Sequence, residues 1–399
     1  MTAVPTHTGP RARHQQGLVV IGQVLALSCW FSASAVSADL RTVLGIGDQA
    51  SVLLATAVQL GFVIGALGSA LLNLADRVPA PVLYCVSSVT AAVCTALIAL
   101  VVRDYATVVL LRLLTGVSLA GVYPVGMKLM ASWATPATRA RALGLLVGGL
   151  TLGSAMPLLI RGFHGLPWQG VLLTAAGLTG LGGLLVLLTV RLGPSVDGRR
   201  GTFAPGYVVT MFRHTKPRLA NLGYLGHMWE LYALWTWLPV FVLASQVRSG
   251  GTTGALVSVV SFAAIGLAGL VGCLAGGWAA DRFGRAPAAV AALAVSGTCC
   301  LLSPLFFGAS LPVLTVLLLV WGAAVIADSG VFSTALSESV DQQYVGTALT
   351  AQTAFGFLLT IVSIQLVSLL AGVVTWQYAF VVLALGPVVG ARAMHRFGR

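Results

Sequence analysis

The residues of this 399-residue chain that are best suited to chemistry lie inside apolar segments. His227 and Glu230 belong to the segment 217–245, and Asp328 belongs to the segment 311–336. A carboxylate at the centre of a bilayer costs about 2.5–3.5 kcal/mol on insertion scales, so such groups normally face a protein interior or a water-filled cavity. His227 and Glu230 are three residues apart, on one helix face, and can touch. Because histidine changes charge near neutral pH, this pair could carry a proton.

Other polar and aromatic groups allow two interpretations each. Arg112 needs an anion or a water-lined cleft, unless it reaches the outer membrane surface. The aromatic residues around Glu230 could form a wall that binds a cationic or planar solute. They could equally form an interfacial belt, which suits Trp235. Asp328 could carry protons, or it could make a structural hydrogen bond in a broken helix near Gly330.

The composition identifies an integral membrane protein of the all-α class. Hydrophobic residues make up 58% of the chain and charged residues only 8%, whereas soluble domains carry about 25% charged residues. Long apolar runs without alternation predict helices and not barrel strands. The six cysteines lie in these runs without metal-site spacing, so we expect no metal and no cofactor. Twelve segments are predicted, near 18–38, 50–74, 80–102, 105–131, 140–162, 169–191, 217–245, 254–279, 286–308, 311–336, 346–372 and 376–394.

The cations lie mainly in the loops between these segments. With the N-terminus inside, sixteen Lys and Arg residues fall on the inner side and four on the outer side, which places both termini in the cytoplasm. The net charge of +12 therefore reflects membrane topology and does not indicate a nucleic-acid partner. The predicted divisions are a cytoplasmic tail 1–17, a six-helix bundle 18–191, a cytoplasmic loop 192–216, a second six-helix bundle 217–394 and a tail 395–399.

The two predicted bundles share sequence features. Asp76-Arg77 follows the second segment, as Asp281-Arg282 follows the eighth. Gly-Val-Tyr-Pro at 121–124 parallels Gly-Val-Phe-Ser at 330–333. Two related six-helix halves are the architecture of one class of secondary transporter, in which substrate binds near the midplane between the halves.

The loop after the eighth segment resembles a motif of the major facilitator superfamily, Gly-x-x-x-Asp-Arg-x-Gly-Arg. The matching residues are Gly277, Asp281, Arg282, Gly284 and Arg285. In the family this cluster latches one conformation, and we expect Gly277 to let two helices approach closely. The copy after the second segment keeps only Asp76 and Arg77.

The fourth segment is also similar to a motif of this family, since Arg112 precedes a glycine-rich stretch and Pro124. The family uses this arginine in proton coupling or substrate binding. The stretch 121–128 looks similar to bacterial porters near the cyanate/nitroimidazole and nitrate/nitrite groups. Nitrate itself is disfavoured, because the second and eighth segments lack an internal arginine. The glycines of the segment 140–162 resemble an antiporter motif only loosely and are equally typical of helix packing.

The resemblance implies twelve transmembrane helices in two pseudo-symmetric six-helix bundles, with the first, fourth, seventh and tenth helices lining a cavity. The proton-coupling candidates are Glu230, His227, Asp328 and Arg112. The substrate-binding candidates are Trp30, Gln59, Tyr123, Tyr224, His227, Glu230, Trp321, Asp328 and Gln352.

These features predict a monomeric, proton-driven transporter in a bacterial cytoplasmic membrane, and not an enzyme. Its partners are a small-molecule substrate, protons and the lipid bilayer. Export of a small organic solute is favoured, and two cavity carboxylates against one cavity arginine favour a neutral or cationic one. The alternatives are import of a small anion with Arg112 as its counter-charge, a non-transporting membrane sensor, and an intramembrane enzyme.

Overall fold

The apolar segments are helical throughout the described part of the chain. The computed structural model describes residues 9–101, 104–135, 138–163, 166–194, 204–251 and 253–399, in which no β-strand occurs. Nine helical stretches of this part are long and apolar enough to cross a membrane. One of them, Val345–Phe397, contains two consecutive helices, because Thr375 leaves the helical conformation with φ 64° and ψ 166°.

The first half of the chain contains six membrane helices. The first, α1, is interrupted, because Pro10–Ala26 is followed by a 3-10 turn at Leu27–Cys29 and by the short helices Ser32–Ala35 and Ser37–Leu44. The others are α2 (Asp48–Leu71), α3 (Ala80–Leu100), α4 (Tyr105–Ser132), α5 (Arg139–Gly162) and α6 (Trp168–Thr189).

The second half repeats this pattern. Its helices are α7 (Thr215–Ser249), α8 (Ala255–Phe283), α9 (Arg285–Phe306), α10 (Leu311–Ser339), α11 (345–374) and α12 (376–397). The interrupted α1 and the polar α7 are counted together with the apolar helical stretches. The described helices then form two sets of six, as predicted. The breaks also repeat: α4 is interrupted before Tyr123, and α10 is interrupted at Asp328.

Two helical regions extend beyond the predicted segments. The first helix begins at Pro10, inside the predicted tail 1–17, and a linker helix, Pro205–Arg213, lies inside the predicted loop 192–216. The linker helix is amphipathic, with Met211 fully buried and the ring of Phe212 5.9 Å from that of Phe355 on α11. Packing against α11 therefore stabilises a stretch whose polar content indicated a loop. The predicted loop charges Asp197, Arg199 and Arg200, like Arg103, lie outside the described residues.

Glycines allow equivalent helix pairs to approach closely in both halves. A methyl group added at Gly61 of α2 or Gly116 of α4 would lie 2.0 or 2.1 Å from a carbonyl oxygen of the facing helix. The same holds for Gly272 of α8 and Gly322 of α10, at 2.0 and 1.9 Å. Small residues at a helix interface let two backbones meet, so α2–α4 and α8–α10 are each closely packed pairs.

The two halves meet along α2 with α11 and along α5 with α8. The glycines of α5 serve this packing: Gly148 faces Leu270 of α8, whereas Gly153 faces the backbone of Val24 on α1. Within the first half, the side chain of Asp104 accepts a hydrogen bond from the backbone N–H of Thr107 at 2.9 Å and caps α4. That hydrogen bond holds the pKa of the Asp104 carboxyl below its ordinary value.

Candidate functional site

A cavity of about 640 Å³ lies between the two halves. Helices α4 and α5 line it from the first half, and α7, α10 and α11 line it from the second. Lys128, Arg139 and Arg285 lie at one end, together with Glu338. We call this the cationic end. Because Arg139 and Glu338 are exposed and Arg285 is only half-buried, the cavity opens at the cationic end.

The opposite end of the cavity is closed by stacked rings. The aromatic cluster consists of Trp30, Phe31, Phe62, Tyr232, Trp235 and Phe357, all at most 5% exposed. Neighbouring ring centroids lie 4.5 Å apart for Phe62–Phe357 and 5.0 Å apart for Tyr232–Phe357. The cluster joins α1 and α2 of one half to α7 and α11 of the other. It therefore closes the path between the halves beyond the cavity.

Helix α7 presents two different faces. Tyr224, Met228 and Tyr232, spaced four residues apart, line the cavity. His227 and Glu230 lie on a neighbouring face that turns into the second bundle, and each is 1% exposed. Because an α-helix turns every 3.6 residues, the two sets alternate along the chain and separate in space. The titratable groups of α7 are thus behind the cavity wall.

Glu230 accepts hydrogen bonds from three side chains of the second bundle. The indole Nε1 of Trp321 lies 2.6 Å from Oε1, the hydroxyl of Ser296 lies 2.9 Å from Oε2, and the Cys300 thiol lies 3.2 Å from Oε1. These partners come from α9 and α10, so one carboxyl group joins three helices. A buried carboxyl group with several donors is a stable acceptor, and its hydrogen bonding must change when it gains a proton.

His227 pairs with Asp328 and not with Glu230. Its Nδ1 lies 2.8 Å from Oδ1 of Asp328, and both side chains are 1% exposed. The expected contact between His227 and Glu230 is therefore replaced, because the break in α10 brings Asp328 against α7 while Glu230 turns toward α9. His227 Nε2 has no hydrogen-bond partner among the described residues.

Arg112 lies inside the first bundle, fully buried. Its guanidinium donates to the carbonyl oxygens of Cys29 at 3.1 Å, Trp30 at 2.5 Å and Leu54 at 3.3 Å. The interruption of α1 leaves carbonyl groups without intrahelical partners, and Arg112 satisfies two of them. The alternative in which Arg112 reaches the outer surface is wrong. In this conformation its side chain is also absent from the described lining of the cavity.

The remaining candidates separate into two groups. Tyr123 and Tyr224 line the cavity. Trp30 belongs to the aromatic cluster, Trp321 donates to Glu230, and Trp235 is 2% exposed and not in an interfacial belt. Gln59 and Gln352 are buried, and each has one amide atom without a hydrogen-bond partner among the described residues.

Sequence reasoning did not select Tyr232, Met228, Phe357 or Lys128 for the cavity. Spacing is the signal that could have identified Met228 and Tyr232, because they follow Tyr224 at intervals of four residues and so share its helix face. Lys128 also lines the cavity, and its Nζ donates to the backbone carbonyl of Ala75 at 2.6 Å.

The loop motif after α8 forms an ion pair at the cationic end. Arg285 donates to Glu338 of α10 through Nε at 3.2 Å and Nη2 at 2.6 Å. Gly284 has φ 95°, a backbone conformation that favours glycine. Asp281 lies near enough to Arg285 for electrostatic attraction.

The expected role of Gly277 in close helix approach is wrong. A methyl group added there would meet no atom of the described residues within 4 Å, whereas one at Gly276 would lie 1.9 Å from the carbonyl oxygen of Ala327. In the second copy of the motif, Arg77 ends a short helix and is exposed. The side chain of Asp76 lies outside the described residues.

Comparisons with known proteins agree with this architecture. The sequence profile of the Major Facilitator Superfamily matches residues 19–364. Searching the curated proteins gave no match. Among solved structures, a bacterial homologue of the human lysosomal transporter Spinster, in an inward-facing and unoccupied conformation, is similar with a TM-score of 0.72 at 14% identity, covering 98% of each chain.

Two further structures share the fold. The nucleoside transporter NupG has a TM-score of 0.72 at 17% identity, and the match covers 96% of this chain and 100% of that chain. A human organic anion transporter has a TM-score of 0.67 at 16% identity, covering 97% of this chain and 100% of that one. Identities this low show a common fold and leave the substrate of this chain open.

Proposed function

This chain belongs to the major facilitator superfamily, and we propose that it is a proton-coupled secondary transporter that exports a small organic solute by alternating access. The observation that carries this proposal is the cavity of about 640 Å³ between the halves, open at the cationic end and closed by the aromatic cluster. Alternating access needs two closures at opposite ends of one site. The aromatic cluster would supply one of them.

The second closure would form at the cationic end, where Arg285 and Glu338 are paired within the second half while this end is open. This ion pair joins the corner between α8 and α9 to the end of α10. These elements border the cavity, and Lys128 and Arg139 of the first half line the same end. Rearranging such exposed ion pairs is inexpensive, because each is worth about 1 kcal/mol or less. The closure can therefore form and open within a transport cycle.

Proton coupling is supported by the buried acids of the second bundle. Glu230 and the His227–Asp328 pair adjoin residues of the cavity wall, since Met228 and Ser329 line the cavity. Protonation of Glu230 would change its hydrogen bonds to α9 and α10. A proton can bias the two conformations only through such a difference in binding free energy.

Export is supported by the side on which the cavity opens. The distribution of Lys and Arg assigns the cationic end to the cytoplasm, so a cytoplasmic solute could enter directly. Import of a small anion with Arg112 as counter-charge has less support, because backbone carbonyl groups already occupy its donors. The structures that share this fold include a nucleoside transporter and an organic anion transporter, which agrees with a small organic solute.

The test is solute-evoked proton movement in proteoliposomes. Purified protein would be reconstituted around a pH-sensitive dye, and solutes selected by ligand-induced thermal stabilisation would be added on one side. We expect solute flux to move protons and to respond to an imposed pH step in the direction of export. In Glu230→Gln the flux should no longer respond to the pH step, whereas Asp39→Asn, which removes a carboxylate paired with Arg161, should behave as wild type. Wild-type flux indifferent to pH would overturn proton coupling.

A further inference from the structure

Three phenol groups meet in the cavity from both halves of the molecule. Tyr123 comes from α4, and Tyr224 and Tyr232 come from α7. All three side chains line this one cavity, and Tyr224 and Tyr232 lie on the same face of α7, eight residues apart. A solute bound between the halves contacts both of them, so its affinity can differ between the two conformations. This cluster, which we call the tyrosine site, has no part in the proton pathway proposed above.

The surroundings of the tyrosine site are apolar and flat. Met127, Met228 and Phe357 line the same cavity, and the Phe357 ring lies 5.0 Å from that of Tyr232. Thr353 adds a hydroxyl group to the same lining. Aromatic rings and thioethers favour a planar aromatic partner over a sugar-like one.

Carboxylates are scarce around the tyrosine site. Glu338 is the single carboxylate of the described lining, and it lies at the cationic end, 54% exposed and paired with Arg285. Glu230 and Asp328 lie behind the wall, engaged with other side chains. A cationic solute would therefore pass Arg139 and, beyond Glu338 at the cationic end, meet no further carboxylate in the described lining. The sequence-based preference for a neutral or cationic solute counted carboxylates that do not reach the cavity.

We propose that Tyr123, Tyr224 and Tyr232 form the solute-binding site and select an aromatic carboxylate. This inference rests on the proposed transport function and names its substrate class. Phenol hydroxyls donate strong hydrogen bonds to a carboxylate, and the aromatic walls hold its ring. The cations at the mouth would attract an anion to the cavity. The site would discriminate against an amine of the same shape, which offers no acceptor oxygen to three phenols.

Three matched probes test the charge preference. Calorimetric titrations of the purified full-length protein would compare 2-naphthoate, 2-naphthamide and 2-naphthylmethylamine, which share a ring system and differ in the polar group. The expected order of affinity is carboxylate, then amide, then amine, with at least tenfold between the first and the last. An amine that binds as tightly as the carboxylate would overturn the proposal, and so would a failure of naphthoate to bind.

Single Tyr→Phe variants test the three hydroxyls. Each substitution keeps the ring and removes one donor, so naphthoate affinity should fall about tenfold at each position, the loss of one hydrogen bond to a charged group. Tyr378→Phe is the matched control, because that side chain is 52% exposed and outside the described lining of the cavity. Unchanged affinity in all three variants would remove the tyrosine site, and three positions protect the test against one misfolded variant.

The failure of this inference differs from the failure of the transport proposal. Glu230→Gln should lose proton coupling and yet keep the order of affinity for the three naphthyl probes, since Glu230 is behind the cavity wall and a shift between conformations scales all three affinities alike. If proton coupling is absent while the Tyr→Phe losses hold, the tyrosine site stands. If coupling holds and the amine is preferred, the substrate class is wrong and the transporter remains.

Discussion

At the scale of single residues, Arg112 has two possible roles that make opposite predictions. Its planar guanidinium donates to carbonyl oxygens on α1 and α2 at the same time. A lysine keeps the charge but not this fork of donors. If Arg112 is a structural anchor, Arg112→Lys should lower the free energy of unfolding by about 2–3 kcal/mol, because buried carbonyl groups lose their donors. Denaturation in detergent measures this.

The control for that experiment is Arg161→Lys. Arg161 pairs with Asp39 at 2.8 Å on a partly exposed surface, where an ion pair is worth about 0–1 kcal/mol. Its replacement should change stability little. If Arg112→Lys is as stable as wild type but loses transport of an anionic solute, the counter-charge role would be right and the anchoring role wrong.

Residue scale is also where the sequence was least informative. The presence of intramembrane acids could be predicted, because hydropathy makes Glu230 and Asp328 conspicuous. Their partners could not, since one helical step decides whether position 227 or 228 faces the cavity. The His227–Asp328 pair depends on the break of α10. The sequence indicated a broken helix near Gly330, but the residue that Asp328 meets follows from tertiary packing that no local pattern of residues specifies.

At the scale of helices, two adjacent glycines of α8 have different environments. A methyl group at Gly276 would lie 1.9 Å from the carbonyl oxygen of Ala327, whereas one at Gly277 would meet no described atom within 4 Å. Gly276→Ala must therefore push α8 away from α10, and we expect a loss of about 1–3 kcal/mol in the free energy of unfolding.

The matched variant Gly277→Ala should have the opposite sign. Alanine favours a helix over glycine by about 1 kcal/mol where space is available, so stability should rise slightly or stay constant. Thermal unfolding of both variants in one detergent gives the comparison. Equal destabilisation at the two positions would show that the close contact lies on the other face of α8. The family motif marks Gly277, but the backbone contact belongs to its neighbour.

Helix number and order were predictable from apolar runs, because a span needs about 20 apolar residues. In the described part of the chain, α1 and α7 are not among the nine uninterrupted helices that are long and apolar enough to cross a membrane. The break at Leu27–Cys29 shortens the first helix of α1 to 17 residues, and the polar residues of α7 lower its mean hydropathy. The linker helix was not predicted, since its stability depends on burying Met211 and Phe212 against other helices.

At the scale of the whole molecule, the aromatic cluster is the closure that alternating access must open. The rings of Phe62 on α2 and Phe357 on α11 are 4.5 Å apart and join the two halves. In the double variant Phe62→Cys/Phe357→Cys, a short reducible bifunctional thiol reagent should hold this end closed. The six native cysteines are buried as well, so the single-cysteine variants also report any reaction at those native sites. We expect cross-linked protein to lose transport completely and to regain it on reduction.

Cross-linking should leave solute binding intact, because the cavity stays open at the cationic end. Each single cysteine variant treated with the same reagent is the control, since it adds mass without joining the halves. Transport that continues at the wild-type rate in the cross-linked protein would mean that the halves do not separate at this cluster. Loss of transport in the single variants as well would point to the rings themselves. If binding is retained while transport is lost on cross-linking and restored on reduction, only separation of the halves at the aromatic cluster explains the result.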